Sequence, residues 1–253
     1  MSWISINGSG VPVWRDVLLS LIYPNVCEIC GVRQVSREES FVCLDCRGRP
    51  GNLRVIRPPY CARCCLPYEG EVIGEFVCGN CAGLTLHFRQ ARAAVVATPF
   101  MLDIIHRYKY RGAAWFEPFL GELLVSAAAS EVAGGGWDAI VPVPLHPARL
   151  REREFNQAER LGRWLSAKSG VPVMAGWVVR DLATRTQALL DRRERSKNVA
   201  GAFDVPDAGP VQGARVVVVD DVLTTGATTS AVSLALRRAG AADVGVWTVA
   251  RGV

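Results

Sequence analysis

The chain has 253 residues, half of them apolar and 21% charged, which excludes an intrinsically disordered protein and allows one or two domains with buried cores. The formal net charge of +5 is compatible with polyanionic partners but identifies none by itself. Composition therefore indicates an ordinary globular protein, and the chemistry has to come from local motifs.

The first predicted element is a helical leader over residues 1–26. Residues 14–23, WRDVLLSLIY, contain a short apolar run in which Leu18, Leu19 and Ile22 form one face of a helix packed on the body. The run includes two charged residues, is too short to cross a bilayer and lacks a signal-peptide cleavage site. No other run approaches transmembrane length, so we expect a cytoplasmic protein without a membrane span.

Cysteines define the second predicted region, residues 27–90. Eight of the nine form four C-x-x-C pairs, with 12 residues between the first two pairs and 13 between the last two. Without a signal peptide, such pairs are typical of zinc knuckles, and two knuckles complete a closed, structural Cys₄ site. We predict a tandem zinc ribbon with two structural Zn²⁺ ions, whose ligands are Cys27, Cys30, Cys43, Cys46, Cys61, Cys64, Cys78 and Cys81. Redox dithiols and an iron–sulfur cluster are the alternatives, although ferredoxin spacings differ.

The predicted metal changes the charge balance of the chain. Each Cys₄ site with its Zn²⁺ carries a net charge of −2, so two sites reduce the formal +5 to about +1. Cys65, the ninth cysteine, directly follows the third knuckle, and we interpret it as a spare thiol rather than a ligand.

From Ala91 onwards, alternating strand and helix patterns predict an α/β domain over residues 91–253, with a parallel sheet flanked by helices. The predicted strands are residues 93–98, 138–143, 171–173, 177–179, 216–219 and 243–249. The predicted helices are residues 101–108, 115–129, a segment from an Asn156 cap to residues 169–170, and a segment ending at residues 237–240. Residues 180–198 have no sustained period, which is typical of a lid or of a surface loop.

A strand, an acidic pair and a hydroxyl-rich turn follow one another in residues 216–230, VVVVDDVLTTGATTS. The valines predict a buried parallel strand, and the turn lies where open α/β sheets bind ligands. Unpaired N–H groups at a helix start suit a phosphate, whereas carboxylates suit sugar hydroxyls or hydrated Mg²⁺. The candidates are Asp220 and Asp221 as acids, and Thr224, Thr225, Gly226, Ala227 and Thr228 as a phosphate-binding turn. A simple helix cap is the alternative, but a cap needs one hydroxyl rather than three.

Three further stretches supply candidates for a second phosphate group, such as a pyrophosphate, or for a lid. One follows the strand at residues 138–143, one begins at Arg180, and one ends the first helix of the α/β region. A solvated charged loop, a surface loop and a cationic helix end are the respective alternatives. The candidates are Arg149, Arg151, Arg153, Arg180, Arg185, Gln187, Arg193, Asn198, Lys109 and Arg111.

Together these motifs resemble the ComF/ComFC family. The resemblance rests on the tandem C-x-x-C region, KYRG, VPVPLHPARLREREFNQA, the RxxxTxxQ…RxxN segment and VDDVLTTGATT, and it extends from about Leu18 to Arg251. Members of that family are zinc-ribbon, phosphoribosyltransferase-like proteins linked to DNA uptake in competent bacteria.

The resemblance implies a type I phosphoribosyltransferase-like fold that binds 5-phosphoribosyl-1-pyrophosphate (PRPP) or another ribose 5-phosphate compound, with Mg²⁺. Asp220 and Asp221 would then hold the ribose hydroxyls directly or through Mg²⁺, and the threonine turn would bind the 5′-phosphate. The three arginines at positions 149, 151 and 153 would stabilise the departing pyrophosphate.

Two positions depart from the family pattern. Glu154 stands where members usually have glycine before Phe-Asn-Gln, and Cys65 stands where glycine is common after the knuckle. If the glycine provides a positive φ, Glu154 alters that loop and brings a carboxylate near the expected pyrophosphate.

Two functional hypotheses of different class follow. The protein is either a phosphoribosyltransferase with an unidentified acceptor, or a non-catalytic factor that binds single-stranded DNA or organises DNA-uptake proteins. The second hypothesis needs aromatic side chains for base stacking, and packing around zinc is the competing use of those side chains. The candidates are Phe41, Tyr60, Tyr68 and Phe76.

Overall fold

The computed structural model describes residues 26–36, 39–180 and 201–253. They divide into two compact units, of which the first ends at Arg49 and the second extends from Pro50 to Val253. Among the residues described, no helix combines the length and the apolar character needed to cross a membrane. The predicted leader lies outside these residues, apart from Val26.

The first unit is a small ribbon built on two knuckles. Val26 pairs with Gln34 in an antiparallel bridge, and the amide of Cys27 donates to the carbonyl of Arg33 at 2.8 Å. Helix α1 (Leu44–Gly48) begins within the second knuckle and contains Cys46, and the side chain of Cys43 caps it by accepting from the amide of Cys46.

A parallel sheet organises the second unit. The strands of this unit, in chain order, are β1 (Gln90–Val96), β2 (Ala139–Pro142), β3 (Val179–Arg180), β4 (Phe203–Asp204), β5 (Arg215–Leu223) and β6 (Asp243–Arg251). The main sheet has the order β1-β6-β5-β2 with every pair parallel, and β3 and β4 form a separate antiparallel pair. The turn that follows β5 therefore lies at a central position of the sheet edge.

The helices of the second unit are α2 (Gly79–Ala82), α3 (Pro99–Tyr110), α4 (Glu117–Gly134), α5 (Pro147–Arg153), α6 (Gln157–Ser169) and α7 (Ala227–Arg238), with 3₁₀ turns at Ala114–Phe116 and Gly209–Val211. Val216 and Val218 of β5 pack with Val232 and Leu236 of α7 in the core. Helices α4 and α6 contact one another and the sheet. Because strand side chains alternate between faces, helices cover both sides of the sheet.

Capping residues define the ends of two helices, and of these the Asn156 cap and the Gly170 end were predicted. Thr98 caps α3 by accepting from the amide of Met101, with Pro99 in the first turn. The side chain of Asn156 caps α6, which ends at Gly170 with a φ of +77°. The predicted fold class, a parallel α/β sheet flanked by helices with an N-terminal tandem zinc ribbon, is confirmed.

Three local predictions were wrong. Strand β5 does not end before the acidic pair but includes Asp220 and continues to Leu223, because β6 pairs with it as far as Arg251. No helix was predicted between the strand at residues 138–143 and the Asn156 cap, but helix α5 lies there and begins at Pro147, a favourable first-turn residue. The strand predicted at residues 171–173 is a single bridge at Val173, since Pro172 has no amide to donate.

Candidate functional site

The first cysteine cluster lies in the first unit. The Sγ atoms of Cys27, Cys30, Cys43 and Cys46 all lie within 4.8 Å of one another, and the Sγ atoms of Cys27 and Cys46 are 3.8 Å apart. The amides of Cys43 and Cys46 donate to sulfur at 3.3 and 3.4 Å. Backbone N–H groups of Arg33 and Val32 lower the pKa of Cys30 to about 6, which favours the thiolate that binds metal.

The second cluster lies in the second unit and is fully buried. The Sγ atoms of Cys61, Cys64, Cys78 and Cys81 also lie within 4.8 Å of one another, with 3.7 Å between those of Cys64 and Cys78. The side chains of Leu66, Phe76 and Leu86 pack against the cluster.

The sulfur geometry of both clusters fits Zn²⁺. A tetrahedral site with Zn–S bonds of about 2.3 Å has S···S edges of about 3.8 Å, which the observed 3.7 and 3.8 Å match. Four cysteines close each site, so a substrate has no open coordination position there. The two predicted zinc-binding Cys₄ sites are therefore confirmed, and they are structural in type.

The candidate phosphate-binding turn joins β5 to α7. Gly226 adopts a φ of +78° at the N-cap of α7, and, as a glycine, it has no side chain to cap the helix. The amide of Ala227 donates to Thr225 Oγ1 at 3.3 Å, and the side chain of Thr224 is exposed. Thr228 lies in the first turn of the helix and is half-buried. The first amides of this twelve-residue helix and the hydroxyls of Thr224, Thr225 and Thr228 therefore lie in one short segment of the chain.

The two acidic residues occupy different environments. Asp220 keeps part of its surface exposed, whereas Asp221 is only 3% exposed and its Oδ2 lies 2.7 Å from Lys109 Nζ. Burial raises the pKa of Asp220 to about 7, and the charge of Asp221 acts in the same direction. Lys109 and Arg153 oppose that rise. Consecutive strand residues point to opposite faces, so the two carboxylates have different surroundings.

The KYRG stretch therefore reaches the acidic pair through Lys109. Long-range pairing of this kind leaves no signal in a single sequence, since Lys109 and Asp221 belong to distant parts of the chain. Arg111, at the C-cap of α3, is exposed and does not share this contact.

Helix α5 separates the three predicted arginines. Arg149 and Arg153 are four residues apart and share a helix face, whereas Arg151 is exposed on another side. Arg149 pairs with Glu152 at 2.9 Å. Arg153 donates to Tyr110 Oη at 2.6 Å and lies 4.4 Å from the centre of the Tyr110 ring. Tyr110, which lay within a motif but was not a candidate, thus positions Arg153.

Glu154 adopts a φ of +66° at the C-cap of α5, and its side chain is exposed. The left-handed conformation expected of the family's glycine is therefore retained with a larger residue. Cys65 likewise has a φ of +58° and is 1% exposed. Burial raises the pKa of the Cys65 thiol to about 11, so the spare thiol is a packed, protonated side chain.

The lid candidates are only partly described. Arg180 stacks over Phe203 at 5.4 Å, and burial lowers its pKa while the charge of Asp220 raises it and that of Arg149 lowers it. The other candidates, Arg185, Gln187, Arg193 and Asn198, lie outside the described residues.

The aromatic residues proposed for base stacking have packing roles in the second unit. The rings of Tyr68 and Phe76 lie 4.7 Å apart, and Phe76 packs against the second cluster. Arg92 covers the ring of Tyr60 at 5.2 Å. Phe41, in the first unit, is half-buried with a φ of +63°.

Comparison with known proteins agrees with this architecture. Residues 18–82 match the family described as a double zinc ribbon domain. Competence protein F of Haemophilus influenzae is 31% identical over 230 residues, which cover 84% of this chain and 97% of the relative. DNA utilization protein YhgH of Salmonella typhimurium is 30% identical over 234 residues, covering 91% and 99%. Competence protein ComFC of Bacillus subtilis is 28% identical over 223 residues, covering 85% and 86%.

Solved structures with similar arrangements include two enzymes. Glutamine phosphoribosylpyrophosphate amidotransferase of B. subtilis, complexed with ADP and GMP, is 23% identical, covers 56% of this chain and 30% of its own, and gives a TM-score of 0.37. Purine phosphoribosyltransferase of Pyrococcus horikoshii is 17% identical, covers 53% and 82%, and gives a TM-score of 0.32.

The family assignment rests on the sequence relatives rather than on these structures. Two relatives with identities of 30% and 31% align over nearly their whole length, and the double zinc ribbon occupies the matching part of the chain. The chain belongs to the ComF/ComFC family.

Proposed function

We propose that the protein binds PRPP or another ribose 5-phosphate compound at the turn between β5 and α7, and that it acts as a phosphoribosyltransferase-like protein. The observation that carries this proposal is the combination, in one segment, of the amide-lined start of α7 with a half-open Asp220. Neither feature alone identifies a sugar phosphate. Together they offer donors for a phosphate and an acceptor for the ribose hydroxyls.

The 5′-phosphate would occupy the start of α7. Amides there carry the positive end of the helix dipole, and the positive φ of Gly226 turns the chain without a side chain in the way. The hydroxyls of Thr224, Thr225 and Thr228 supply further donors.

The ribose hydroxyls and Mg²⁺ would meet the acidic pair. Asp220 is the less buried of the two acids, and desolvation together with the charge of Asp221 raises its pKa. A bound cation would favour its charged form. Asp221 contributes by holding Lys109, which places a positive charge beside the site. Bound Mg²⁺ would neutralise charge on the pyrophosphate of PRPP.

The pyrophosphate would lie near α5 and Arg180. Arg149 and Arg153 present two guanidinium groups on one helix face, and the fields of Arg149 and Asp220 both act on Arg180. Arginine suits this role because its planar group binds phosphate oxygens in pairs. Transfer of the ribose would pass through a cationic, oxocarbenium-like C1′, which the neighbouring carboxylates stabilise.

A ligand-binding series tests the proposal. PRPP with Mg²⁺ at one hundred times its Kd is expected to raise the melting temperature by about 5–10 °C, with direct binding measured by calorimetry. Asp220→Asn and Thr225→Val are expected to remove most of this shift. Ser130→Ala, which removes an exposed hydroxyl from α4, is the control and should keep the full shift. Absence of a shift in the unmodified protein contradicts the proposal.

The names of the relatives favour a second role, in DNA uptake. Competence protein F and DNA utilization protein YhgH suggest that this chain also serves DNA handling, with single-stranded DNA or DNA-uptake proteins as partners. Polarisation measurements with a labelled single-stranded oligonucleotide at low salt test direct contact, because phosphate contacts are strongest there. No binding at low salt would leave only the partner-organising form of this role.

A further inference from the structure

Arg251, the last residue of β6, touches both the second cysteine cluster and the candidate phosphate-binding turn. Its side chain is 5% exposed, and no sequence motif includes its guanidinium in either site. Nε donates to the carbonyl of Cys64 at 2.7 Å, and Nη2 donates to the sulfur of Cys64 at 3.4 Å. One zinc ligand therefore receives two contacts from this side chain.

The other end of the same guanidinium holds the chain leading into the turn. Nη1 donates to the carbonyl of Thr224 at 2.7 Å and to that of Leu223 at 3.1 Å, and it also contacts the carbonyl of Gly252. The carbonyls of Leu223 and Thr224 lie just before the amides of residues 226–228, which would bind the phosphate. A planar group with five donors serves both ends at once, which a lysine ammonium cannot do in the same geometry.

An apolar contact runs parallel to this polar one. Leu86 packs against the second cluster, and its Cδ2 would lie 3.6 Å from a Cβ placed on Gly226. The following amide, that of His87, donates to Ser230 Oγ of α7 at 3.1 Å. The segment that leaves the second cluster is therefore packed against the start of the helix at two points.

We propose that Arg251 is a positioning residue that couples the second zinc site to the phosphate-binding turn, so that a filled zinc site holds the turn in its binding conformation. This inference rests on the proposed binding of a sugar phosphate at that turn. Bound zinc fixes the position of the Cys64 sulfur, and Arg251 bonds both to Cys64 and to the carbonyl of Thr224, which keeps the two a fixed distance apart. Leu86 restricts the movement of Gly226. Loss of a residue that contacts a metal ligand commonly changes metal affinity by about 10–100-fold. Because coupling between two binding sites is reciprocal, a phosphate bound at the turn should also strengthen zinc binding.

The test uses the full chain carrying Cys30→Ser, which leaves zinc only in the second site, and compares Arg251→Lys with Arg92→Lys. Arg92 is the matched control because it also donates to the second ribbon, at Ala62, but contacts no residue of the turn in any interaction described. Arg251→Lys is expected to weaken calorimetric binding of ribose 5-phosphate about 10-fold and to speed zinc release to a chromophoric chelator about 10-fold. Arg92→Lys should change either quantity less than twofold. Equal values for the two variants overturn the inference.

A second measurement separates this inference from the proposed function. If the unmodified protein binds neither ribose 5-phosphate nor PRPP, the proposed function fails, and amide hydrogen exchange of residues 223–228 decides the coupling: faster exchange in Arg251→Lys than in Arg92→Lys supports it, and equal exchange overturns it. If it binds PRPP alone, PRPP replaces ribose 5-phosphate in these measurements. If Arg251→Lys does not fold, the Cys30→Ser protein decides. If ligand binds, slower zinc release in the presence of ribose 5-phosphate supports the coupling, and an unchanged rate overturns it. If no ligand binds, faster amide exchange of residues 223–228 after zinc removal supports the coupling, and unchanged exchange overturns it.

Discussion

The two cysteine clusters have the same ligands and the same sulfur spacing, yet they differ in what surrounds them. In the first, Cys30 is partly exposed, and an exposed ion pair joins Arg33, between the knuckles, to Asp45 of the second knuckle. In the second, all four cysteines are buried, and Arg251 and Leu86 connect them to the sheet and to α7. The same metal chemistry is therefore found in a small ribbon in the first unit and, in the second, beside the sheet and the start of α7.

The knuckles themselves repeat one backbone turn. Gly31 and Cys65 each follow the second cysteine of a knuckle with a φ near +60°, and each donates its amide to the first cysteine's carbonyl, at 2.7 and 2.9 Å. Gly31 has no atom within 4 Å of a Cβ position, whereas the Cys65 side chain is buried beside Ala93. The third knuckle, Cys61 and Cys64, thus has a buried side chain at the position where the first knuckle has glycine.

The largest expected effect separates the two clusters by stability. Cys81→Ser should lower the free energy of unfolding of the second unit by about 4 kcal/mol, because it removes the metal from a site packed into that unit. Cys30→Ser should leave the second unit within about 0.5 kcal/mol of its original value. Hydrogen exchange of peptides from β5 and β6 in mild urea measures both. Equal losses in the two variants would contradict the contrast drawn between the clusters.

A smaller effect is expected at the turn of the first knuckle. Gly31→Ala places a Cβ in a left-handed residue without any steric contact, so its cost is conformational, about 1 kcal/mol. Zinc release from the first site should accelerate about fivefold, as measured with a chelator. Cys65→Gly is the companion variant, in which relief of backbone strain is offset by a lost buried side chain. A Gly31→Ala protein that releases zinc at the original rate would remove the conformational argument.

The smallest effect concerns the ion pair of the first ribbon. Arg33 Nη1 and Asp45 Oδ2 are 2.6 Å apart, but both side chains are well exposed and solvent weakens their attraction. Asp45→Asn is therefore expected to leave zinc release and the unfolding midpoint unchanged within error. A clear loss of zinc retention would mean that this ion pair supports the first cluster as Arg251 is proposed to support the second.

Local signals allowed much of this architecture to be predicted. Fixed C-x-x-C spacing predicted both clusters because both cysteines of a knuckle come from one turn, and the Asn156 cap predicted the start of α6. The end of β5 was missed because strand length depends on the partner strand, which continues to Arg251. The contacts of Lys109 with Asp221 and of Arg251 with Cys64 depend on distant parts of the chain meeting, and no local pattern encodes them.

We propose that the turn between β5 and α7 binds a ribose 5-phosphate group, and a crystal structure of the full chain with PRPP and Mg²⁺ is the decisive experiment. We expect the 5′-phosphate on the amides of residues 226–228 and the ribose hydroxyls facing Asp220. A phosphate bound elsewhere, or a turn left without ligand at saturating PRPP, would contradict it.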